Sequence, residues 1–211
     1  MEADWSVACG ADDPVVVVPW GGEIRDAATG KPIRYIDLRS APDAIREIPE
    51  AVEYPRLGSA LRHWNQPGTP LFTAKCDVWN YPAKFFDAED LPGFACAHAS
   101  YVDLLPTDPK IFTSFAACEQ LLRIWTEVSR SIPLPASRCE FTLRPARILP
   151  SDSRIPAAAG VQFSPLEGFA TSLYVWGYGP SPESAASAWS QALLALVGPI
   201  ATHSEFSASK L

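Results

Sequence analysis

The sequence predicts an α+β protein in which two strand–strand–helix (ββα) units build a four-stranded antiparallel sheet with both helices on one face. Three observations carry that expectation. Two segments echo each other, GFACAHASYVDLLPTDPKIFTSFAACEQLLRIW at 93–125 and GFATSLYVWGYGPSPESAASAWSQALLAL at 168–196. Each opens Gly-Phe-Ala, runs through a strand-like stretch, turns at prolines and enters a helix. A further strand-like stretch lies upstream of each, PLFTAKCDVW at 70–79 and SRCEFTLRPARI at 137–148. Finally, 21 prolines among 211 residues, about twice the usual ~5%, favour many short elements over a helical bundle.

Taken in order, residues 1–69 read as an N-terminal extension packed on the core. PVVVVPW, EIRD and IRYIDL are short strands separated by GG and AATGKP turns. YPRLGSALRHWN is a short helix that buries Leu57, Leu61 and Trp64. Residues 70–203 form the pseudo-symmetric domain. Its first helix begins at Asp108-Pro109, where an N-cap precedes a proline at the first helical position, and stops at Pro133. Ile111, Phe115, Cys118, Leu122, Trp125 and Ile132 share one face of it. The second helix begins at Ser181-Pro182-Glu183, buries Ala185, Trp189, Ala192 and Leu196, and ends at Gly198-Pro199. Loops are expected at 82–92 and 151–167, and residues 204–211 form an exposed tail. This order of elements is similar to the duplicated ββα arrangement of GyrI-like ligand-binding domains, a likeness of layout by analogy only.

Side chains alternate sides along a strand. One face then carries Phe72, Ala74, Cys76 and Val78 with Cys96, His98, Ser100, Val102, Phe141, Leu143, Leu173 and Val175, an apolar set that matches the helices. The other carries Lys75, Asp77 and Trp79, then Tyr101 and Asp103, then Arg138, Glu140 and Arg144, then Tyr174, Trp176 and Tyr178. Apolar walls with a few placed polar groups are what small-molecule sites are made of. On this polar-aromatic face Asp77, Asp103 or Glu140 is a candidate base, its pKa raised by burial, and Tyr101 a proton donor. Lys75 or Arg144 would hold an anion or oxyanion, and Trp79, Tyr174, Trp176 and Tyr178 would bind the ligand's body. The competing reading is a solvated face of cross-strand ion pairs, or one covered by residues 1–69. Cys96 and His98 fall on the helix side, where a buried thiol and a neutral, hydrogen-bonded histidine are expected rather than a nucleophile pair or metal ligands.

Composition narrows the function classes. A net charge of −7 argues against a nucleic-acid surface. Five scattered cysteines without a CxxC point to reduced thiols rather than disulfides or zinc, so no metal is expected. The aliphatic run VVVV is far too short to span a membrane. No G-x-G-x-x-G, P-loop, G-x-S-x-G or H-E-x-x-H occurs, and no cofactor is expected. Ser209-Lys210-Leu211 matches the S-K-L address read by the peroxisomal import receptor, which predicts the peroxisomal matrix in a eukaryote and the cytoplasm in a bacterium. The expectation is therefore a cofactor-independent enzyme doing acid–base chemistry on an acyl, polyketide-like or aromatic small molecule. A non-catalytic binding module on the same face is the alternative, and a homo-oligomer using that face as its interface is the third.

Overall fold

The structure is a computed structural model that describes residues 1–25, 30, 32–82, 94–150 and 164–203. The expected loops at 82–92 and 151–167 fall largely outside those residues, as does the tail with Ser209, Lys210 and Leu211. The fold is mixed α+β. Its strands are β1 (Glu2–Val7), β2 (Val16–Val18), β3 (Gly21–Arg25), β4 (Pro32–Arg34), β5 (Leu71–Pro82), β6 (Cys96–Pro106), β7 (Ser137–Ile148) and β8 (Leu166–Gly179). Its helices are α1 (Pro49–Glu53), α2 (Pro55–Trp64), α3 (Pro109–Phe112), α4 (Phe115–Arg130) and α5 (Pro182–His203).

The main sheet has six strands rather than four. Its order is β1-β7-β8-β6-β5, with β2 following β1 along the same edge of β7. The pairings among β5, β6, β8 and β7 are antiparallel, whereas β1 and β2 run parallel to β7. No strand was expected over Glu2–Val7. Its acidic residues hide a period of two in which Ala3 is buried and Trp5 half-buried while Glu2 and Asp4 face water.

Helices α2, α4 and α5 cover one face of the sheet. Leu104, Phe141, Leu143 and Leu173 from the strands meet Leu61, Trp64, Leu122, Leu193 and Leu196 from the helices in one core. Each such side chain contributes about 1.5–3 kcal/mol on burial. Leu57, Leu61 and Trp64 are buried as the spacing in α2 predicts, and Trp64 Nε1 donates to the Val197 carbonyl of α5 at 3.3 Å. Among the described residues α5 is the one helix long and apolar enough to cross a membrane. Here Ala185, Trp189, Ala192, Leu193, Leu196 and Ile200 bury one side of it in the protein core.

Three expectations are corrected. The first helix is two helices, because Ser114 adopts an extended backbone and caps α4, its hydroxyl accepting from Ala117 N at 3.2 Å. Ile111, Cys118, Leu122 and Trp125 are buried as expected, but Phe115 at the new N-terminus is exposed. Second, α5 runs through Gly198-Pro199 to His203. Proline removes one donor there, and the buried Ile200 holds the last turn against the core. Third, a bulge between Thr73 and Cys76 shifts β5 by one residue against β6. Phe72 and Ala74 therefore leave the helix face and join Val16, Val18, Leu105, Phe112, Ala146 and Ala170 in a second apolar cluster on the opposite face. Residues 1–69 thus serve both faces: α2 lies beside α5, and β2 closes one end of the far side.

Candidate functional site

Antiparallel register across β5, β6, β8 and β7 aligns Asp77, Tyr101, Tyr174 and Glu140 as one row on the face away from the helices. The next row is Trp79, Ala99, Trp176 and Arg138. Because Ala97 and Ala99 are small, the neighbouring rings converge, and both alanines are buried. The ring centroids of Trp79 and Tyr101 lie 6.2 Å apart, those of Tyr101 and Tyr174 5.9 Å, and Tyr174 stacks on Trp176 at 5.7 Å. At one end of this ladder Tyr81 meets Trp79 edge-on; at the other the Arg138 guanidinium lies 5.7 Å over Trp176. Trp79 Nε1 is buried with no hydrogen-bond partner among the described residues. Tyr178, one step beyond Trp176, is buried with its ring 5.7 Å from that of Phe94.

The three carboxylates proposed from the sequence have different environments. Asp77 is exposed, and its Oδ1 accepts from the neighbouring Val78 N at 2.7 Å. Glu140 accepts from Ser6 Oγ at 3.1 Å and lies 3.7 Å from Arg138. Asp103 is 2% exposed, and its Oδ1 accepts from Ser172 Oγ at 2.5 Å. Burial pushes its carboxyl above the usual range, while the Ser172 hydrogen bond and the charges of Arg144 and then Lys75 pull it back. Tyr101, two residues along the strand, keeps its proton well above its ordinary value through burial and the charges of Asp103 and Asp77. Asp103 and Tyr101 are therefore neighbours on this face that both hold their protons more tightly than the free side chains do.

Arg144 stands apart from the aromatic ladder. It lies in the row of Ala170, with Nη1 donating to Ser172 Oγ at 3.4 Å and Nη2 to the Pro14 carbonyl at 3.1 Å. Lys75 sits in the β5 bulge, its Nζ 5.2 Å over the Trp20 ring, and Trp20 Nε1 donates to the Ala74 carbonyl at 2.8 Å. Lys75 also lines a groove of about 870 Å³ beside the bulge, whose other walls include Ile36, Leu38, Ile48, Arg34 and Arg46. The sequence did not single out Ser172 or Trp20. Ser172 is found only once register sets it directly opposite Asp103, and Trp20 only once the chain returns to the bulge.

On the helix side, His98 Nδ1 meets Asn80 Oδ1 at 2.5 Å, and the ring packs against Tyr54 and Trp189. Burial holds its pKa below the ordinary histidine value, so the neutral imidazole is the ground state. Cys96 is half-buried at the start of the same strand. Among the described residues no group of three or more His, Cys, Asp or Glu side chains is placed to hold a metal ion. Compared with protein families, with curated proteins and with solved structures, the chain matches none of them.

Proposed function

We propose that this chain is a cofactor-independent enzyme that moves a proton on an acyl or aromatic small molecule at the far face of its sheet. The observation that carries the reading is Asp103, a carboxylate buried beside Tyr101 with Ser172 on its oxygen and two cations within electrostatic reach. A carboxyl whose pKa burial raises above the ordinary aspartate value is a better base than a surface aspartate. Tyr101 would donate, and the rings of Trp79, Tyr174 and Trp176 would hold the substrate's body. A second reading, a binding module without turnover, is favoured by the tie of Arg144 to Ser172 and to the Pro14 carbonyl, which makes the Asp103 cluster a brace for the N-terminal segment.

One pair of variants separates the two. In an enzyme, Asp103→Asn abolishes turnover while ligand binding survives, and kcat falls by at least about 100-fold. In a binding module Asp103→Asn leaves affinity within a few-fold, whereas Trp176→Ala loses the ligand. Light scattering on Trp176→Ala tests the third use of the face: a shift toward monomer would show that the ladder is a subunit interface.

The order β5–β6–α3–α4 followed by β7–β8–α5 supports the proposal that the core arose as two ββα units. If Ser209-Lys210-Leu211 closes the chain in a eukaryotic cell, the place of action is the peroxisomal matrix. A fluorescent fusion with and without those three residues tests that point.

A further inference from the structure

The groove beside the β5 bulge has the make-up of a second site. Its volume, about 870 Å³, falls inside the range of small-molecule sites. Ile36, Leu38, Ile48 and Leu61 give it an aliphatic floor. Leu38 and Leu61 belong to the main core, and Ile36 and Ile48 pack against it, so the floor is held in place. Ile33, also on the wall, is exposed. Accessible aliphatic surface of this kind gains from an apolar chain laid over it.

The charged walls set the sign of what fits. Trp20 is anchored at the bulge, its Nε1 donating to the Ala74 carbonyl at 2.8 Å, and Lys75 Nζ stands 5.2 Å over its ring. Arg34 pairs with Gly21, the residue after Trp20, across the β3–β4 ladder, so a second cation reaches the wall beside that ring. Arg34 is exposed and Lys75 half-buried, and among the described residues neither makes an ion pair. The wall's carboxylates, Glu47 and Glu50, come from the turn Pro42–Glu47 and from α1, together with Arg46. Glu50 belongs to the helix side of β5. The Cys76 thiol, packed against the main core, is pushed up to about 12 by burial and then by the Glu50 charge. The Lys75 charge instead acts on Asp103, on the far side. With three cations against two carboxylates, the groove carries an excess of positive charge, and Arg34 and Lys75 stand apart from the carboxylates. Because Arg34 is exposed, an anion there would keep part of its water and avoid full desolvation.

We propose that this groove binds an acyl carboxylate of medium length, its chain along Ile36, Leu38 and Ile48 and its carboxylate between Arg34 and Lys75 beside Trp20. It shares only the Lys75 charge with the Asp103 cluster and is read by binding rather than turnover. Its failure would therefore leave the proposed acid–base reading untouched.

The test titrates the full chain with decanoate, with octanoate, and with decanol, which keeps the ten-carbon chain without the charge. Calorimetry should show decanoate binding about fivefold more tightly than decanol, a preference that shrinks when salt is raised to about 0.5 M. Octanoate should bind about fourfold more weakly than decanoate, the effect of burying half the surface of two methylenes. The methyl resonances of Ile36, Leu38 and Ile48 should shift on titration. In the double variant Arg34→Gln, Lys75→Gln, decanoate should fall to the affinity of decanol while decanol binding stays as it was. Equal affinities of decanoate and decanol in the wild type would overturn the proposal, and so would a preference that survives in the double variant. Shifts confined to Trp79, Tyr101 and Trp176 would place the chain on the aromatic ladder and overturn it too. A double variant that loses both ligands would mean that the two cations hold the groove open rather than seat an anion, which also sinks it.

Discussion

His98 and Asp103 stand on the same strand, buried on opposite faces of the sheet, and burial moves their pKa values in opposite directions. For His98 the folded value lies below the ordinary one, with desolvation outweighing the raising effect of Glu53. Its contribution to stability is present above about pH 6.5 and is lost as the pH falls through the folded value. For Asp103 the folded value lies above the ordinary one, so its contribution is present at low pH and lost as the pH rises through the folded value. The urea midpoint of the wild type should therefore fall as the pH is lowered below about 6.5, and His98→Gln should flatten that limb whatever its absolute stability. An unchanged slope in His98→Gln would mean that the ring is not desolvated. At this scale strand alternation made much legible: it put Tyr101 and Asp103 on one face and His98 on the other. It did not reveal that Asp103 alone of the three carboxylates is deeply buried. Alternation put Lys75 on that face too, but it set neither the register that brings Ser172 opposite Asp103 nor the bulge that carries Lys75.

Elements meet as closely as their smallest residues allow, and the contact of α5 with β8 shows this most plainly. Gly177 and Gly179 lie on the helix side of β8, where a Cβ on Gly177 would fall on the Trp189 backbone nitrogen and the Ala185 carbonyl oxygen. A Cβ on Gly179 would meet Ser184 and the Ala185 nitrogen. At Gly177 the obstacle is helix backbone rather than a flexible side chain, so relief requires α5 to move and carry Trp189 with it. Trp189 Nε1 donates to Ser100 Oγ at 2.8 Å and its ring packs on His98, so that movement would disturb the buried centre. Gly177→Ala should destabilise the protein by about 1–3 kcal/mol or more, read as a lower urea midpoint at unchanged slope. A midpoint equal to that of the wild type would mean that the helix rides higher on the sheet. In the sequence these glycines looked like part of a strand running into a turn, and their packing role was hidden. The strands of the core and the faces of α2 and α4 were legible because hydrophobic period alone sets them. The break at Ser114, the bulge after Thr73 and the passage of α5 through Pro199 were not, because each is decided by contacts distant in sequence.

The whole molecule depends on its first 69 residues more than their loop-rich composition suggests. The Met1 amino group donates to the Ile132 carbonyl, β1 extends the sheet along β7, and Arg130 Nε donates to the Ala3 carbonyl at 2.9 Å. Trp64, Leu57 and Leu61 lie fully inside the main core, and Val16 and Val18 close the second cluster on the other face. Removing residues 1–69 would strip the partner from one edge of β7 and uncover apolar surface on both faces at once. The remaining 70–203 would keep its hairpins and helices but lose the layer that makes them cooperative. The full chain should unfold in one transition, with tryptophan fluorescence and far-ultraviolet circular dichroism coinciding. The truncated chain should retain much of its secondary structure, bind a hydrophobic dye and melt without a cooperative step. A truncated chain that unfolds cooperatively within a few degrees of the full one would show that 70–203 is a domain in its own right. In that case β1, β2 and α2 would be an attachment to the core rather than part of it.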